Sequence, residues 1–253
     1  MTLLSPMPRA VRGPGRGAAL LAFAGPPTPA VLSTMTACAT NLERRLSAVT
    51  TGTRMGGVLA TDLDIAKVVA TVRRRSIAFV VVAGGTAPRV VRRLAALTRR
   101  PVLVARTRAR WRRVLAATDL QTPGSPVLAL ATAVAAVRDA EALLLHSVAP
   151  SWATPAPAIR PLASVAVARR MRRLARLAAH ATPRPRVVVA SSVQPARAIV
   201  DAMATHDAEL VVVGMRRAHR GGGCAEQVVA DAGGNVLVVP LVAPTSASTA
   251  GRP

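Results

Sequence analysis

Short apolar runs alternate with stretches of helical spacing along most of the chain. The apolar runs predict strands at residues 20–24, 79–83, 102–105, 114–117, 143–146, 187–190, 210–213 and 236–239. The stretches between them predict helices at residues 66–75, 88–97, 126–138, 165–180, 195–205 and 224–232. Continuous apolar strands separated by helices are typical of a parallel sheet that is covered on both faces. The pattern therefore predicts an α/β fold.

Two segments of the chain align with each other without a gap. Residues 60–84 (ATDLDIAKVVATVRRRSIAFVVVAG) and 190–214 (ASSVQPARAIVDAMATHDAELVVVG) both contain a short strand, a helix, an apolar strand and a glycine. A helix and a closing strand follow each glycine, so the spacing predicts two copies of one α/β unit. The predicted boundaries are a disordered tail over 1–17, a shortened first domain over 18–106, a joint over 107–110, a second domain over 111–242 and a disordered tail over 243–253.

The composition indicates a large core and a strongly basic surface. Hydrophobic residues make up 51% of the 253 residues, and the formal net charge is +23. No apolar stretch reaches the roughly 18 residues that a membrane helix needs. Two cysteines are too few for a disulfide framework, which favours a reducing compartment. We therefore expect a soluble, cytoplasmic protein without a membrane partner.

The basic charge does not by itself indicate a nucleic-acid partner. Only Lys67 among the 34 basic residues is a lysine, and Ala, Val and Pro abound, as in a coding sequence rich in G and C. Aromatic residues make up only 2% of the chain, so a platform for stacking single-stranded bases is missing. Binding to nucleic acid or another anionic surface remains an alternative because arginines neutralise phosphates.

The second copy resembles the universal stress protein (UspA-like) family. The resemblance rests on four blocks in the family's order: RVLAATDL, ALLLHSVAP, SSVQPARAIVDAMATHDAELVVVG and GCAEQVVADAGGNVLVVP. The first copy resembles the family more weakly, mainly over 60–106, so the chain is expected to be a tandem member. The resemblance implies two open parallel-sheet domains of the adenine nucleotide alpha hydrolase-like, Rossmann-like type. It also implies ATP binding without turnover, as in many members.

The resemblance also implies a nucleotide site in the second domain, with substitutions in its glycine loop. Asp119 matches the acidic residue that holds the nucleoside, although a helix cap or turn explains it equally well. Gly214 matches the first loop glycine, but Arg217 stands where the family has a second. Gly223 and Cys224 replace a later Gly-Ser or Gly-Thr pair of the family, and they follow Arg217 at a shorter spacing than the family pattern has. Glycines let the backbone approach phosphate, and a thiol donates more weakly than a hydroxyl.

Two interpretations of this loop remain open. Arg216, Arg217, His219 and Arg220 surround the glycines with donors, which favours an unusual anion site. Alternatively, the loop is eroded and its arginines are solvated. The first copy has lost more of the pattern, so we do not expect it to bind a nucleotide in the family manner. The cofactor prediction is therefore ATP, bound weakly or not at all by the second domain.

The remaining candidate chemistry favours a non-enzymatic protein. The carboxylates are scattered, the histidines lack a neighbouring nucleophile, and no metal-ligand spacing is found. His146 is expected to be a packed histidine. The expected function is a stress-response protein, and the alternatives are a nucleotide-free protein-interaction module or a basic nucleic-acid binder. The strands at 102–105 and 236–239 are expected to pair within the chain as a pseudo-dimer, and further dimerisation is left open.

Overall fold

The computed structural model describes residues 18–23, 28–49, 58–75, 77–107, 111–120, 126–136, 140–148, 160–216 and 223–241. The strands are β1 (Ala18–Phe23), β2 (Val58–Asp62), β3 (Ile77–Ala83), β4 (Val102–Ala105), β5 (Arg113–Ala117), β6 (Glu141–Val148), β7 (Arg186–Ser191), β8 (Leu210–Arg216) and β9 (Asn235–Leu241). The helices are α1 (Pro29–Val49), α2 (Ile65–Arg74), α3 (Pro88–Thr98), α4 (Pro126–Ala136), α5 (Arg160–Ala179), α6 (Pro195–Thr205) and α7 (Cys224–Asp231). Both predicted tails, residues 108–110 of the predicted joint and residue 242 lie outside the described residues.

One sheet runs through all nine described strands, in the order β2-β1-β3-β4-β9-β8-β5-β6-β7. Neighbouring strands are parallel except for β4 and β9, which pair antiparallel with Leu103 opposite Leu237. This pair divides the sheet into a first half, β1 to β4, and a second half, β5 to β9. Each half is a parallel sheet, so the predicted α/β class with two tandem parallel-sheet units is confirmed.

In the part of the chain that the structure describes, the first half has one strand and one helix fewer than the second half. The second half has the five-stranded order β7-β6-β5-β8-β9, whereas the described first half has the four-stranded order β2-β1-β3-β4. In the gapless repeat, β2 corresponds to β7, yet β2 pairs directly with β1. Within the described residues, the first half therefore has no counterpart of β6 and α5, in agreement with the prediction of a shortened first domain.

Helices cover both faces of the sheet. Helices α1, α4 and α5 pack on one face through residues such as Met35, Leu128 and Leu174. Helices α2, α3, α6 and α7 pack on the other face through residues such as Leu94 and Val228. The hydrophobic core on each face of the sheet contains residues from both halves, so the packing is continuous across the β4–β9 pair. No helix within the described ranges is long and apolar enough to cross a membrane.

Helix α1 was not predicted. Its buried positions are Met35, Cys38, Ala39 and Leu42, which follow the spacing of one helix face. Two of these four side chains are small, and Thr and Ser surround them, so the apolar periodicity is weak in the sequence. Strand β2 was recognised only through the repeat, since the apolar run in its sequence VLATD is only three residues long.

A polar cluster joins the two halves inside the core. Asn235 is fully buried at the start of β9. Its Oδ1 accepts hydrogen bonds from the backbone N–H groups of Arg106 at 2.8 Å and Thr107 at 3.2 Å. Its Nδ2 donates to the carbonyl and hydroxyl oxygens of Thr107, both at 3.1 Å, and to the carbonyl of Glu209 at 3.3 Å. The thiol of Cys38 also donates to the Thr107 carbonyl at 3.2 Å. The side-chain amide of Asn235 thus provides hydrogen-bond partners for the backbone groups at the end of the first half.

Candidate functional site

A cavity of about 1010 Å³ opens at the carboxyl ends of the strands in the second half. Asp119 follows β5, His146 lies near the end of β6, and Gly214 and Arg216 lie in the last part of β8. Strand β5 lies between β6 and β8. The chain therefore continues on one side of β5 with β6 and later returns to the other side with β8, so the strand order reverses at β5. Ligands of open α/β sheets bind in the crevice at such a reversal of strand order.

Asp119 and Arg216 form an ion pair within this cavity. The Arg216 Nη2 donates to the Asp119 Oδ2 at 2.8 Å, and both side chains are partly exposed. The register of β5 and β8 pairs Ala117 with Val213, which brings the residues just beyond these positions together. The carboxylate that the resemblance assigns to the nucleoside therefore contacts an arginine of the same chain. The sequence placed Arg216 beside the glycine loop but gave no sign of this pairing.

Gly214 lies in the last part of β8, in close contact with side chains of β9 and α4. A Cβ on Gly214 would lie 2.7 Å from the Cδ1 of Leu241 and 3.1 Å from the Cγ2 of Val127. The first of these distances is too short for two carbon atoms. A larger residue at this position would therefore require the side chains of Leu241 and Val127 to move.

Gly223 and Cys224 line the same cavity at the amino end of α7. Glu226 caps this helix, because its Oε2 accepts a hydrogen bond from the Gly223 N–H at 3.2 Å. Cys224 is exposed, but partial desolvation of its sulfur raises the pKa of the thiol, so the thiol stays neutral and adds no negative charge to the cavity. Arg217, the remaining predicted site residue, lies outside the described residues.

The first half of the chain holds α7 at both ends. The Arg92 Nε of α3 forms an ion pair with the Glu226 Oε1 at 2.6 Å, and Arg92 also lines the cavity. At the other end, the guanidinium of Arg106 donates to the carbonyl oxygen of Val229, in the last turn of α7. Cations near a helix carboxyl end are favourable because carbonyl groups concentrate negative potential there. The first half thus contributes directly to the site.

His146 is a packed residue, as expected. Its side chain is only 6% exposed, and its Nδ1 lies 2.9 Å from the carbonyl oxygen of Thr118. A carbonyl oxygen only accepts hydrogen bonds, so Nδ1 carries a proton and holds the ring against the end of β5. The other ring nitrogen is buried and has no hydrogen-bond partner among the residues that the structure describes.

Helix α5 contributes a row of positive charge to the cavity. Its lining residues, which form the arginine face of α5, are Arg169, Arg170, Arg172, Arg173 and Arg176. All five are exposed, whereas Leu174 and Ala178 of the same helix are buried. With Arg92 and Arg216, the described lining holds seven arginines against two carboxylates, those of Asp119 and Glu226. Across the described ranges, no group of His, Cys, Asp and Glu is placed to hold a metal ion.

A sequence model of the universal stress protein family matches residues 110–240, just over half of the chain. The chain belongs to the universal stress protein family. A comparison with curated proteins found no match.

Solved structures share the fold over almost the whole chain. A functionally unknown protein from Pseudomonas aeruginosa PAO1 is 15% identical with a TM-score of 0.60, covering 90% of this chain and 93% of that one. A universal stress protein from Archaeoglobus fulgidus DSM 4304 is 14% identical with a TM-score of 0.59, covering 89% of this chain and 99% of that one. These similarities support the arrangement of both halves as a universal stress protein fold.

Within this universal stress protein, four predicted site residues line one cavity: Asp119, Gly214, Gly223 and Cys224. The sequence missed the roles of Arg92, Arg216 and the arginine face of α5. The helical spacing of the arginines in VARRMRRLARLAA was a visible signal for a charged helix face. No local pattern linked Arg92 to Glu226, because their contact depends on the packing of the two halves.

Proposed function

We propose that this universal stress protein is a non-enzymatic stress-response protein whose second half binds an adenine nucleotide weakly. The observation that carries the proposal is the cavity at the strand-order reversal, which Asp119, Gly214 and the amino end of α7 line together. Its volume of about 1010 Å³ is at the large end of the range for small-molecule sites, so a nucleotide fits. The amino end of a helix also favours an anionic group.

The same geometry supports weak rather than tight binding. Nucleoside hydroxyls reach the Asp119 carboxylate only in competition with Arg216, which already donates to it at 2.8 Å. The neutral thiol of Cys224 also replaces the hydroxyl that the family uses at the helix start. Both features reduce the affinity of the cavity for a nucleotide.

The absence of turnover is part of the proposal and is supported by how the titratable groups of the cavity are paired. Asp119 and Glu226 both form ion pairs with arginines, and His146 is held by the Thr118 carbonyl. A nucleophile next to a general base is the arrangement that hydrolysis or group transfer needs. These side chains serve in structural contacts instead.

Calorimetry with ATP on the full chain tests the proposal. We expect saturable binding to the natural protein and a loss of about tenfold or more in Asp119→Ala. Asp201→Ala is the matched control, because Asp201 also pairs with an arginine, Arg197 at 3.0 Å, but lies on α6 away from the cavity lining. The control is expected to bind like the natural protein. No saturable heat with ATP, or equal losses in both variants, would contradict nucleotide binding.

The second candidate is a nucleotide-free protein-interaction module. The Asp119–Arg216 ion pair favours it, because the carboxylate is already satisfied within the chain. In that case ATP gives no saturable heat, and Asp119→Ala changes only the stability of the protein. Nucleotide binding ranks first because the cavity and its position in the sheet are both retained.

We also propose that the two halves act as an intramolecular pseudo-dimer. The antiparallel pairing of β4 with β9 supports this, since each strand covers the edge that the other would expose. We expect light scattering after size-exclusion chromatography to give the monomer mass of 26.1 kDa. A stable mass of twice that value would show that the intramolecular pairing does not replace association between chains. A cytoplasmic location stays a prediction.

A further inference from the structure

We propose that the arginine face of α5 makes the cavity a site for a chain of several phosphates, with or without a nucleoside attached. The inference rests on the proposed function for the location of the site and goes beyond it in the ligand class. The phosphate chain has two sources, inorganic polyphosphate or the phosphate tail of a nucleotide. Both present the same row of negative charges.

The arginines are arranged to act together. Arg169, Arg172, Arg173 and Arg176 follow the i, i+3, i+4, i+7 spacing of a single helix face, and Arg170 flanks them. At a rise of 1.5 Å per residue, this row is about 10 Å long. A single phosphate contacts only part of such a row, whereas a chain of phosphates contacts several guanidinium groups at once.

The charge of this face is not balanced by acidic neighbours in the described structure. Other arginines in the cavity have acidic partners, Arg92 with Glu226 and Arg216 with Asp119. None of the ion pairs found within the described ranges involves the arginine face of α5. Like charges at these helical spacings repel one another, so an anion in the cavity removes an unfavourable interaction as well as adding contacts.

Arginine chemistry and the concave shape of the site favour phosphate chains over other anions. A guanidinium group binds phosphate oxygens through two parallel hydrogen bonds, and it keeps its charge at every physiological pH. The arginines line a cavity that also includes strand ends and the start of α7.

Calorimetry on the full chain, in buffer without divalent cations, tests the proposal with inorganic tripolyphosphate, orthophosphate, adenosine and ATP. We expect tripolyphosphate to bind about tenfold or more tightly than orthophosphate, since it contacts several arginines. The double variant R169Q/R173Q is expected to weaken tripolyphosphate binding by about tenfold or more. It is also expected to make the slope of log affinity against log salt shallower by about two.

The matched control is the double variant R73Q/R74Q. Arg73 and Arg74 are exposed at the end of α2 and do not line the cavity, so the control removes the same charge from another helix. We expect it to bind tripolyphosphate like the natural protein. Circular dichroism of both variants is expected to match the natural protein, because all four side chains are exposed.

Three outcomes would overturn the proposal. Equal losses in the two double variants would show general attraction to a basic protein. Tripolyphosphate binding no tighter than orthophosphate would show that a chain is not recognised. Tighter binding of duplex DNA than of tripolyphosphate, lost in R169Q/R173Q, would show a nucleic-acid surface.

The outcomes for ATP separate this proposal from nucleotide binding. Tripolyphosphate binding that depends on the arginine face of α5, without any heat from ATP, supports a phosphate-chain site for inorganic polyphosphate and contradicts both the nucleotide function and the nucleotide tail as a source of the chain. ATP binding that is lost in Asp119→Ala but unchanged in R169Q/R173Q supports the nucleotide function and overturns the phosphate-chain site. Adenosine reports the nucleoside contribution alone, because it carries no phosphate.

Discussion

Arg216 donates a hydrogen bond to Asp119 at 2.8 Å, across the carboxyl ends of β8 and β5. The two residues are 97 positions apart in the chain, and they meet because β5 and β8 are neighbours in the sheet. The acidic residue that would hold a nucleoside is therefore already paired. A ligand that uses Asp119 has to displace Arg216 or rearrange it towards phosphate.

This ion pair predicts opposite effects of Arg216→Gln on two ligands. Adenosine affinity is expected to rise about three- to fivefold, because Asp119 becomes available to the ribose and exposed ion pairs contribute up to about 1 kcal/mol. Tripolyphosphate affinity is expected to fall, because the variant loses the Arg216 guanidinium as a hydrogen-bond donor to phosphate. Calorimetry with each ligand measures both changes, and Arg197→Gln, which breaks the Asp201 pair on α6, is the control. Weaker adenosine binding by Arg216→Gln would contradict the competition.

The contact of Arg92 with Glu226 predicts that the first half supports the site in the second. In Arg92→Gln, the capping carboxylate of α7 loses its ion pair, so amide exchange in α7 is expected to become faster, as measured by hydrogen-exchange mass spectrometry. ATP affinity is expected to fall about three- to tenfold. Arg93→Gln is the matched control, since Arg93 is the exposed neighbour on α3 and does not line the cavity. Equal exchange rates in both variants would contradict a role for Arg92.

These two pairs show how far the sequence predicts the site. Asp119, Gly214 and Cys224 were predicted because they match or replace residues of the family's nucleotide site, and the structure brings them together because the ends of parallel strands share one edge of the sheet. The partners of Asp119 and Glu226 were not found, since they depend on strand order and on how α3 packs against α7. Helix α1 was missed for a related reason. Small residues such as Ala39 bury well against the sheet but contribute little to an apolar pattern.

Asn235 predicts a large loss of stability when its side chain is removed. Asn235→Ala leaves the partly buried backbone N–H groups of Arg106 and Thr107 without their acceptor. We expect the free energy of unfolding to fall by about 2 to 4 kcal/mol, because each unsatisfied buried group costs about 1 to 3 kcal/mol. Thr107→Ala removes one hydroxyl contact and is expected to cost only about 1 kcal/mol. Urea unfolding compares the variants, and equal losses would show that the amide has no special role.

The raised pKa of the buried Cys38 thiol predicts that the protein becomes less stable in alkaline solution. Burial raises the pKa of the Cys38 thiol from 9.0 to about 11. Well below pH 9.0 the thiol is protonated in both the folded and the unfolded chain, so the full stability is present. Between pH 9.0 and about 11, the unfolded chain loses this proton while the folded chain keeps it, so rising pH favours unfolding.

The size of this decline follows from the two pKa values. A difference of about two pH units corresponds to about 3 kcal/mol once the pH has passed the folded pKa. Cys38→Ser is the matched variant, because a serine hydroxyl keeps a donor for the Thr107 carbonyl and does not ionise in this range. Urea unfolding at about pH 8 and about pH 10.5 is expected to show a fall that is about 2 kcal/mol larger in the natural protein than in the variant. Cys224 is present in both proteins and cancels in the comparison. Parallel pH profiles would show that the Cys38 thiol ionises as readily in the folded chain as in the unfolded one.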